Sequence, residues 1–110
     1  MKARSIDEVG DVLEEIKKHL KELYGDKIKR VIVYGSFARG EAGEESDIDV
    51  LVVTSDDLDP YTVRKSISDT LFKILLRDGE LISLIPVPES ILKSKNTPFI
   101  QNVIKEGVSV

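Results

Sequence analysis

At the centre of the chain, residues 35–49 have the sequence GSFARGEAGEESDID. An apolar run rich in β-branched residues, 31–34, leads into this stretch, and a second run, 48–53, contains its last residues. Both runs predict β-strands. The Gly-Ser pair therefore follows one strand, and an Asp-x-Asp pair opens the next after ten intervening residues, 37–46. This arrangement predicts a phosphate-binding turn that faces a divalent-metal site.

Two aspartates provide the predicted metal ligands. Asp47 and Asp49 are two residues apart, so on a strand their side chains lie on the same face of the sheet. Two bare carboxylates this close repel one another, and a divalent cation between them removes the repulsion. Because the stretch offers oxygen ligands without His or Cys, Mg²⁺ is favoured, with Mn²⁺ as the alternative. An isolated Asp-x-Asp is commonly a solvated strand end, so the prediction depends on the Gly-Ser pair that accompanies it.

Three residues before the aspartates are candidates for binding phosphate. Gly35 allows the backbone to approach an anion closely. Ser36 offers a hydroxyl and an N–H at the start of a predicted short helical turn, where partial positive charge gathers. Arg39 follows three residues later and on such a turn faces the same way, which makes it the candidate cation for phosphate. Together with a metal, these groups suit a nucleoside triphosphate that undergoes in-line displacement at phosphorus.

The remaining sequence predicts three long helices. Apolar residues recur at helical spacing after Ser5, which forms a capping box with Glu8 and starts a helix that ends at Gly25. Asp59 and Pro60 are the expected first residues of a second helix, which Gly79 ends. The last helix starts at residues 97–98 and ends at Gly107.

Three strands are predicted, over Lys27–Tyr34, Asp47–Thr54 and Leu81–Val87. If Ser36 and Asp47 border one site, the first two strands must run antiparallel. The second helix is long enough for a crossover that makes the third strand parallel to the second. Pro86 cannot donate a backbone hydrogen bond, so the third strand is expected at an edge of the sheet. The predicted fold class is α+β, an α/β-type two-layer arrangement in which a small mixed sheet packs against helices.

Length and composition favour one compact domain over residues 1–110. The net charge of −4 disfavours strong nucleic-acid binding. No apolar run approaches the roughly 20 residues that span a bilayer, so no membrane association is expected. The chain has no cysteine and starts without a signal-peptide pattern, and both observations favour a cytoplasmic location. An edge strand and apolar helices leave self-association into a homo-oligomer open.

The Gly-Ser pair, the ten-residue gap and the Asp-x-Asp pair resemble the signature of the DNA polymerase beta-like nucleotidyltransferase superfamily. The phrase GSFARG at residues 35–40 and the small size are similar to its minimal nucleotidyltransferase subgroup, to which many antitoxins belong. The resemblance implies a nucleotidyltransferase fold in which Gly35 and Ser36 hold the triphosphate of ATP or another nucleotide. Asp47 and Asp49 would ligate two Mg²⁺ ions. It also implies a protein partner of the HEPN type.

The chain departs from that superfamily at one position. A third carboxylate usually lies on the third strand, and matching the strands places Ser83 there. Serine is a poor Mg²⁺ ligand and a poor base at neutral pH. Glu80 is three residues away and falls on the other face unless the strand bulges, so it is expected to be a solvent residue before the strand.

These observations support three hypotheses. The first is an Mg²⁺-dependent nucleotidyltransferase that moves AMP from ATP to a hydroxyl of a partner protein, as an antitoxin. The second is an antitoxin with weak or lost catalysis that neutralises a HEPN-like partner by contact, which Ser83 favours. The third is a nucleotide-sensing regulatory subunit. The motif residues Gly35, Ser36, Arg39, Asp47 and Asp49 favour the first hypothesis.

Overall fold

The computed structural model describes residues 4–110 and contains a four-stranded mixed sheet. Its strands lie in the order β3 (Ile82–Pro88), β2 (Ile48–Thr54), β1 (Ile28–Tyr34) and β4 (Val108–Ser109). β1 is antiparallel to β2 and to β4, and β2 is parallel to β3. The predicted antiparallel and parallel pairs are confirmed, and β3 lies at an edge as Pro86 predicted. β4 was not predicted, because two residues have no detectable periodicity.

Four α-helices cover the sheet: α1 (Gly10–Tyr24), α2 (Pro60–Asp78), α3 (Glu89–Ser94) and α4 (Pro98–Glu106). α1 packs against β1 and α2, and α2 packs against β3. On the opposite side of the sheet, α4 packs against β1, while α3 packs against β2 and β3. The α+β fold class is therefore confirmed. The predicted two-layer arrangement is wrong, because helices cover both faces of the sheet and make three layers. Within residues 4–110, no helix combines the length and apolar character needed to cross a bilayer.

The predicted ends of α2 are confirmed in detail. The Asp59 carboxylate accepts a hydrogen bond from the Thr62 N–H at 3.2 Å and caps the first turn. Gly79 has a φ of 70°, and its N–H donates to the Leu75 carbonyl at 2.9 Å. Because α2 runs from the end of β2 to the start of β3, these caps determine how the crossover places β3 beside β2.

The predicted capping box at the start of the chain is wrong. The Ser5 side chain makes no capping hydrogen bond, and the Glu8 N–H donates instead to the Ser5 carbonyl at 3.2 Å. Residues Ile6–Val9 therefore form a 3₁₀ turn, and α1 begins only at Gly10. The turn is compatible with the antiparallel bridge that joins Arg4 to Ala42 just before it.

The central strands β1 and β2 are apolar on both faces, so helices cover both sides of them. Val31, Val33 and Val50 point to the side of α1 and α2, where they belong to the main core cluster. Ile32 and Leu51 point to the other side and belong to a smaller cluster under α3 and α4. Asp49 lies two residues before Leu51 and shares its face. The alternation thus places the Asp49 carboxylate on the side of α4, at the end of the sheet where β1 stops and β2 starts.

Candidate functional site

The structure brings Gly35 and Asp49 into direct contact. Tyr34, the last residue of β1, is paired with Asp49 across the antiparallel ladder, so the chain leaves β1 directly beside this carboxylate. Gly35 has a φ of 73°, and a Cβ built on it would lie 2.4 Å from Asp49 Oδ2. Only a glycine fits here without moving the carboxylate, because the Cβ of any other residue would overlap the Asp49 carboxylate oxygen.

Asp47 lies close enough to act electrostatically on Asp49. Burial raises the pKa of Asp49 above its ordinary value, the negative charge of Asp47 raises it further, and Arg39 opposes both. Asp47 is exposed and immediately precedes β2, whereas Asp49 is half-buried within it. A desolvated carboxylate beside a second one is an electrostatically unfavourable arrangement that a bound cation would relieve.

Two carboxylates fit a Mg²⁺ ion that obtains its other ligands from elsewhere. Throughout residues 4–110, no group of three or more acidic, His or Cys side chains could hold a metal. Glu80 therefore does not join Asp47 and Asp49. Mg²⁺ is commonly held by one or two carboxylates, with water and substrate phosphates completing its octahedron. The donor set thus suits a metal that binds together with a nucleotide, and Asp47 and Asp49 are the residues that would hold it.

Residues 35–40 form turns, and the predicted short helical turn is present as a single turn that ends at Gly40. The Arg39 N–H donates to the Gly35 carbonyl at 3.1 Å, and the Glu41 N–H donates to the Ser36 carbonyl at 2.9 Å. Gly40 has a φ of 70°, and its N–H donates to the Phe37 carbonyl at 3.2 Å, which is the usual way a glycine ends a helical turn. The buried Phe37 side chain, 1% exposed, attaches the turns to the main core. Ser36 accordingly sits on an ordered turn next to the Gly35–Asp49 contact.

Arg39 lies near the site but already has two carboxylate partners. Its Nε donates to Glu41 Oε2 at 3.2 Å, and its Nη1 donates to Glu106 Oε1 at 3.1 Å. Hydrogen bonds to both groups raise the pKa of Arg39, so the guanidinium stays charged. The role of Arg39 as a phosphate ligand beside Ser36 stays a prediction. To bind a phosphate, Arg39 would have to break its hydrogen bond to Glu106 or to Glu41.

Ser83 occupies the position expected for the third carboxylate. In the parallel β2–β3 ladder, Ser83 pairs with Asp49, so both side chains lie on one face of the sheet. The expectation for Glu80 is wrong: its side chain is 13% exposed and forms an ion pair with Arg4. Arg4, which is far from Glu80 in the chain, pairs with its carboxylate, and the local sequence around Glu80 gives no sign of this pairing.

Two aromatic residues near the site were missed: Tyr34, which pairs with Asp49 across the ladder, and Phe99, which packs against Tyr34. The Tyr34 and Phe99 rings pack edge to face, with centroids 5.5 Å apart and an interplanar angle of 86°. Burial and the Asp49 charge raise the pKa of the Tyr34 hydroxyl, which is therefore neutral at physiological pH. Tyr34 could have been found from the antiparallel register, since it is the last residue of β1 and must face the start of β2. The sequence contains no comparable signal for Phe99.

Comparisons with known proteins show the family of this chain. The family model described as "Nucleotidyltransferase domain" matches residues 13–108. The inferred protein adenylyltransferase MJ0604 of Methanocaldococcus jannaschii is 40% identical over 96 residues, which cover 86% of this chain and 90% of that protein. 

Two solved structures have a similar fold. A crystal structure of an inferred nucleotidyltransferase from Sulfolobus solfataricus has a TM-score of 0.62 at 20% identity, covering 90% of this chain and 76% of that one. A toxin–antitoxin crystal structure with AMP-PNP has a TM-score of 0.58 at 23% identity, covering 87% of this chain and 70% of that one. Because the family model spans most of the chain, this protein belongs to the nucleotidyltransferase domain family.

Proposed function

We propose that this protein is a Mg²⁺-dependent adenylyltransferase that moves AMP from ATP to a hydroxyl of a partner protein. The observation that carries the proposal is the contact between Gly35 and Asp49, with Asp47 beside it, because it joins a phosphate-binding turn to a pair of metal ligands. ATP as the donor and protein as the acceptor are supported by similarity to MJ0604, an inferred protein adenylyltransferase.

The transfer forms one bond and breaks one. The acceptor hydroxyl oxygen attacks the α-phosphorus of ATP, the bond from that phosphorus to the bridging oxygen breaks, and pyrophosphate leaves. Bound Mg²⁺ would neutralise charge that develops on the phosphate oxygens. Asp47 and Asp49 would hold the metal, while Ser36 and the backbone at Gly35 would orient the triphosphate. The hydroxyl proton passes to solvent, since Ser83 offers no base where a carboxylate would stand.

The partner we propose is a HEPN-type protein, with this chain as its antitoxin. The similar structure with AMP-PNP is a toxin–antitoxin complex, which supports a toxin as the protein partner. Phe99 and Ile85, 41% and 37% exposed, leave apolar surface on the face of the sheet that carries Asp49. Such a surface suits an acceptor on a protein better than a small polar molecule.

A second candidate function is neutralisation of the same partner by contact, with little or no transfer. Ser83 favours it, because the residue that pairs with Asp49 across β2 and β3 can neither ligate Mg²⁺ strongly nor act as a base. The two candidates share a nucleotide site and a partner, and they differ in turnover alone.

The experiment incubates the protein with labelled ATP, Mg²⁺ and the product of a neighbouring HEPN-type gene, and measures AMP on that partner by mass spectrometry. Asp47→Asn is expected to abolish the adduct while leaving the fold intact. Asp57→Asn is the matched control, since Asp57 is exposed after the far end of β2 and pairs with Lys27. The control should transfer AMP as the wild type does.

The outcomes separate the candidates. An adduct that D47N loses and D57N keeps supports the adenylyltransferase. An adduct that survives D47N contradicts the assignment of Asp47 as a metal ligand. Co-purification of the two proteins without any adduct favours neutralisation by contact.

A further inference from the structure

Arg4 touches the loop between Ser36 and Asp47 at three places. Its backbone N–H donates to the Ala42 carbonyl at 2.7 Å, within an isolated antiparallel bridge. Its Nη1 donates to the Glu44 carbonyl at 3.2 Å. The guanidinium carbon lies 5.2 Å from the centre of the Phe37 ring, a cation–π distance. One residue near the start of the chain thus contacts the beginning, the middle and the later part of this loop, the middle through its backbone and the other two through its side chain.

The other end of the same guanidinium reaches the segment before β3. Arg4 Nη2 forms an ion pair with Glu80 Oε2, and the two side chains are only 18% and 13% exposed. The hydrogen bond to Glu80 is the main cause that raises the pKa of Arg4. Directly after Glu80, the Leu81 carbonyl accepts from the Ile48 N–H at 2.9 Å, which ties this segment to the residue between the two aspartates.

We infer that the Arg4–Glu80 pair is a positioning clamp that holds the loop of residues 37–46 against the start of β3, and so sets Ser36 and Asp47 in place for nucleotide binding. The inference rests on the proposed nucleotide site. The physical reason is conformational entropy: a polar ten-residue loop with two glycines, Gly40 and Gly43, samples many conformations unless other contacts restrain it. Charge-assisted hydrogen bonds shielded from water are among the stronger restraints available.

Arg4 and Glu80 act here through the loop and not on the substrate. Glu80 is not grouped with Asp47 and Asp49 as a metal ligand anywhere within the described part of the chain. Its carboxylate is instead occupied by Arg4. The pair explains why an acidic residue lies close in sequence to the missing third carboxylate without replacing it.

The test uses the full chain with AMP-PNP and Mg²⁺, and measures affinity by calorimetry. Arg4→Ala is expected to weaken binding by about tenfold, the equivalent of losing one charge-assisted hydrogen bond. Arg77→Ala is the matched control, since Arg77 also pairs with two carboxylates, Glu15 and Asp78, but on the exposed side of α2. R77A should bind the nucleotide as the wild type does.

Two further measurements distinguish positioning from general destabilisation. Hydrogen exchange of the amides of residues 37–46 should accelerate in R4A and in Glu80→Ala, while the amides of β1 and β2 keep their protection. In a double-mutant cycle, R4A in the E80A background should cost clearly less affinity than R4A alone. If R4A lowers the yield of folded protein, Arg4→Lys and Glu80→Gln serve in its place, because each keeps part of the contact.

Different results overturn different claims. If the wild type binds AMP-PNP with Mg²⁺ and R4A binds equally well, or if the two substitutions are fully additive, the clamp is refuted. If the wild type itself does not bind the nucleotide, the proposed function fails. The exchange rates of residues 37–46 then still decide whether Arg4 and Glu80 hold the loop.

Discussion

Replacing Gly35 by alanine probes the contact on which the site depends. The added Cβ would lie 2.4 Å from Asp49 Oδ2, 3.4 Å from its Cγ and 3.6 Å from its Cβ. The obstacle is thus the end of one side chain, which can rotate away. We expect the protein to fold with Asp49 turned from its present direction, and binding of AMP-PNP with Mg²⁺ to be lost, because active-site groups tolerate displacements of only about 0.5 Å.

The expected loss of stability in G35A comes from the backbone conformation at residue 35. Gly35 has a φ of 73°, and a residue with a Cβ in this left-handed region costs about 1–2 kcal/mol. For a chain of 110 residues, 1 kcal/mol corresponds to about 4 °C in the unfolding midpoint. A decrease of about 4–8 °C is therefore expected in G35A, with a small addition for the rotated carboxylate.

Gly40→Ala provides the control within the same turns. Gly40 has a φ of 70°, nearly that of Gly35, yet a Cβ built on it meets no atom within 4 Å. G40A should therefore lose a similar amount of stability and keep its affinity for the nucleotide. Thermal unfolding and calorimetry measure the two quantities separately.

The reasoning is refuted if G35A binds AMP-PNP with Mg²⁺ as tightly as G40A does. Equal losses of affinity in both variants would also refute it. The backbone of the turns, and not the approach to Asp49, would then control binding.

Three other substitutions test separate parts of the structure. Asp49→Asn removes a desolvated charge next to Asp47, so its unfolding midpoint should equal or exceed that of the wild type while calorimetry finds no Mg²⁺-dependent nucleotide binding. Ser83→Asp supplies the carboxylate that the third strand lacks and should raise the rate of AMP transfer at least about tenfold in the mass-spectrometric assay. An unchanged rate would argue against Ser83 as the residue that limits the rate of transfer. Asp59→Ala removes the cap that accepts from Thr62 and should cost about 1 kcal/mol, or about 4 °C, without altering nucleotide affinity.

Local patterns in the sequence were sufficient to predict most of the fold. The caps of α2 at Asp59 and Gly79 depend on neighbouring residues, so they could be recognised directly. The apolar runs at residues 31–34 and 48–53 indicated the two central strands. Requiring Ser36 and Asp47 to border one site then predicted the antiparallel β1–β2 pair. The short β4 could not be predicted, because its position depends on the far end of the chain returning to β1.

The candidate site was likewise predictable only in part. The residue types of the motif, Gly35 to Asp49, were enough to predict a nucleotide and a metal, because chemistry and spacing are local properties. The role of each residue at this site remains a prediction. The partners of the charged groups were not predictable: Arg4 pairs with Glu80 across 76 positions, and Arg39 with Glu106 across 67.

The sequence by itself therefore determined the long helices, the three long strands and the family motif, since strand alternation, helix caps and motif spacing act over a few residues. Only the tertiary structure decided which carboxylates stay available and which are neutralised by arginine. It also decided that Gly35 touches Asp49. Such pairings depend on how distant segments close upon each other, and a carboxylate has the same local sequence signal whether it faces solvent, a metal or a guanidinium.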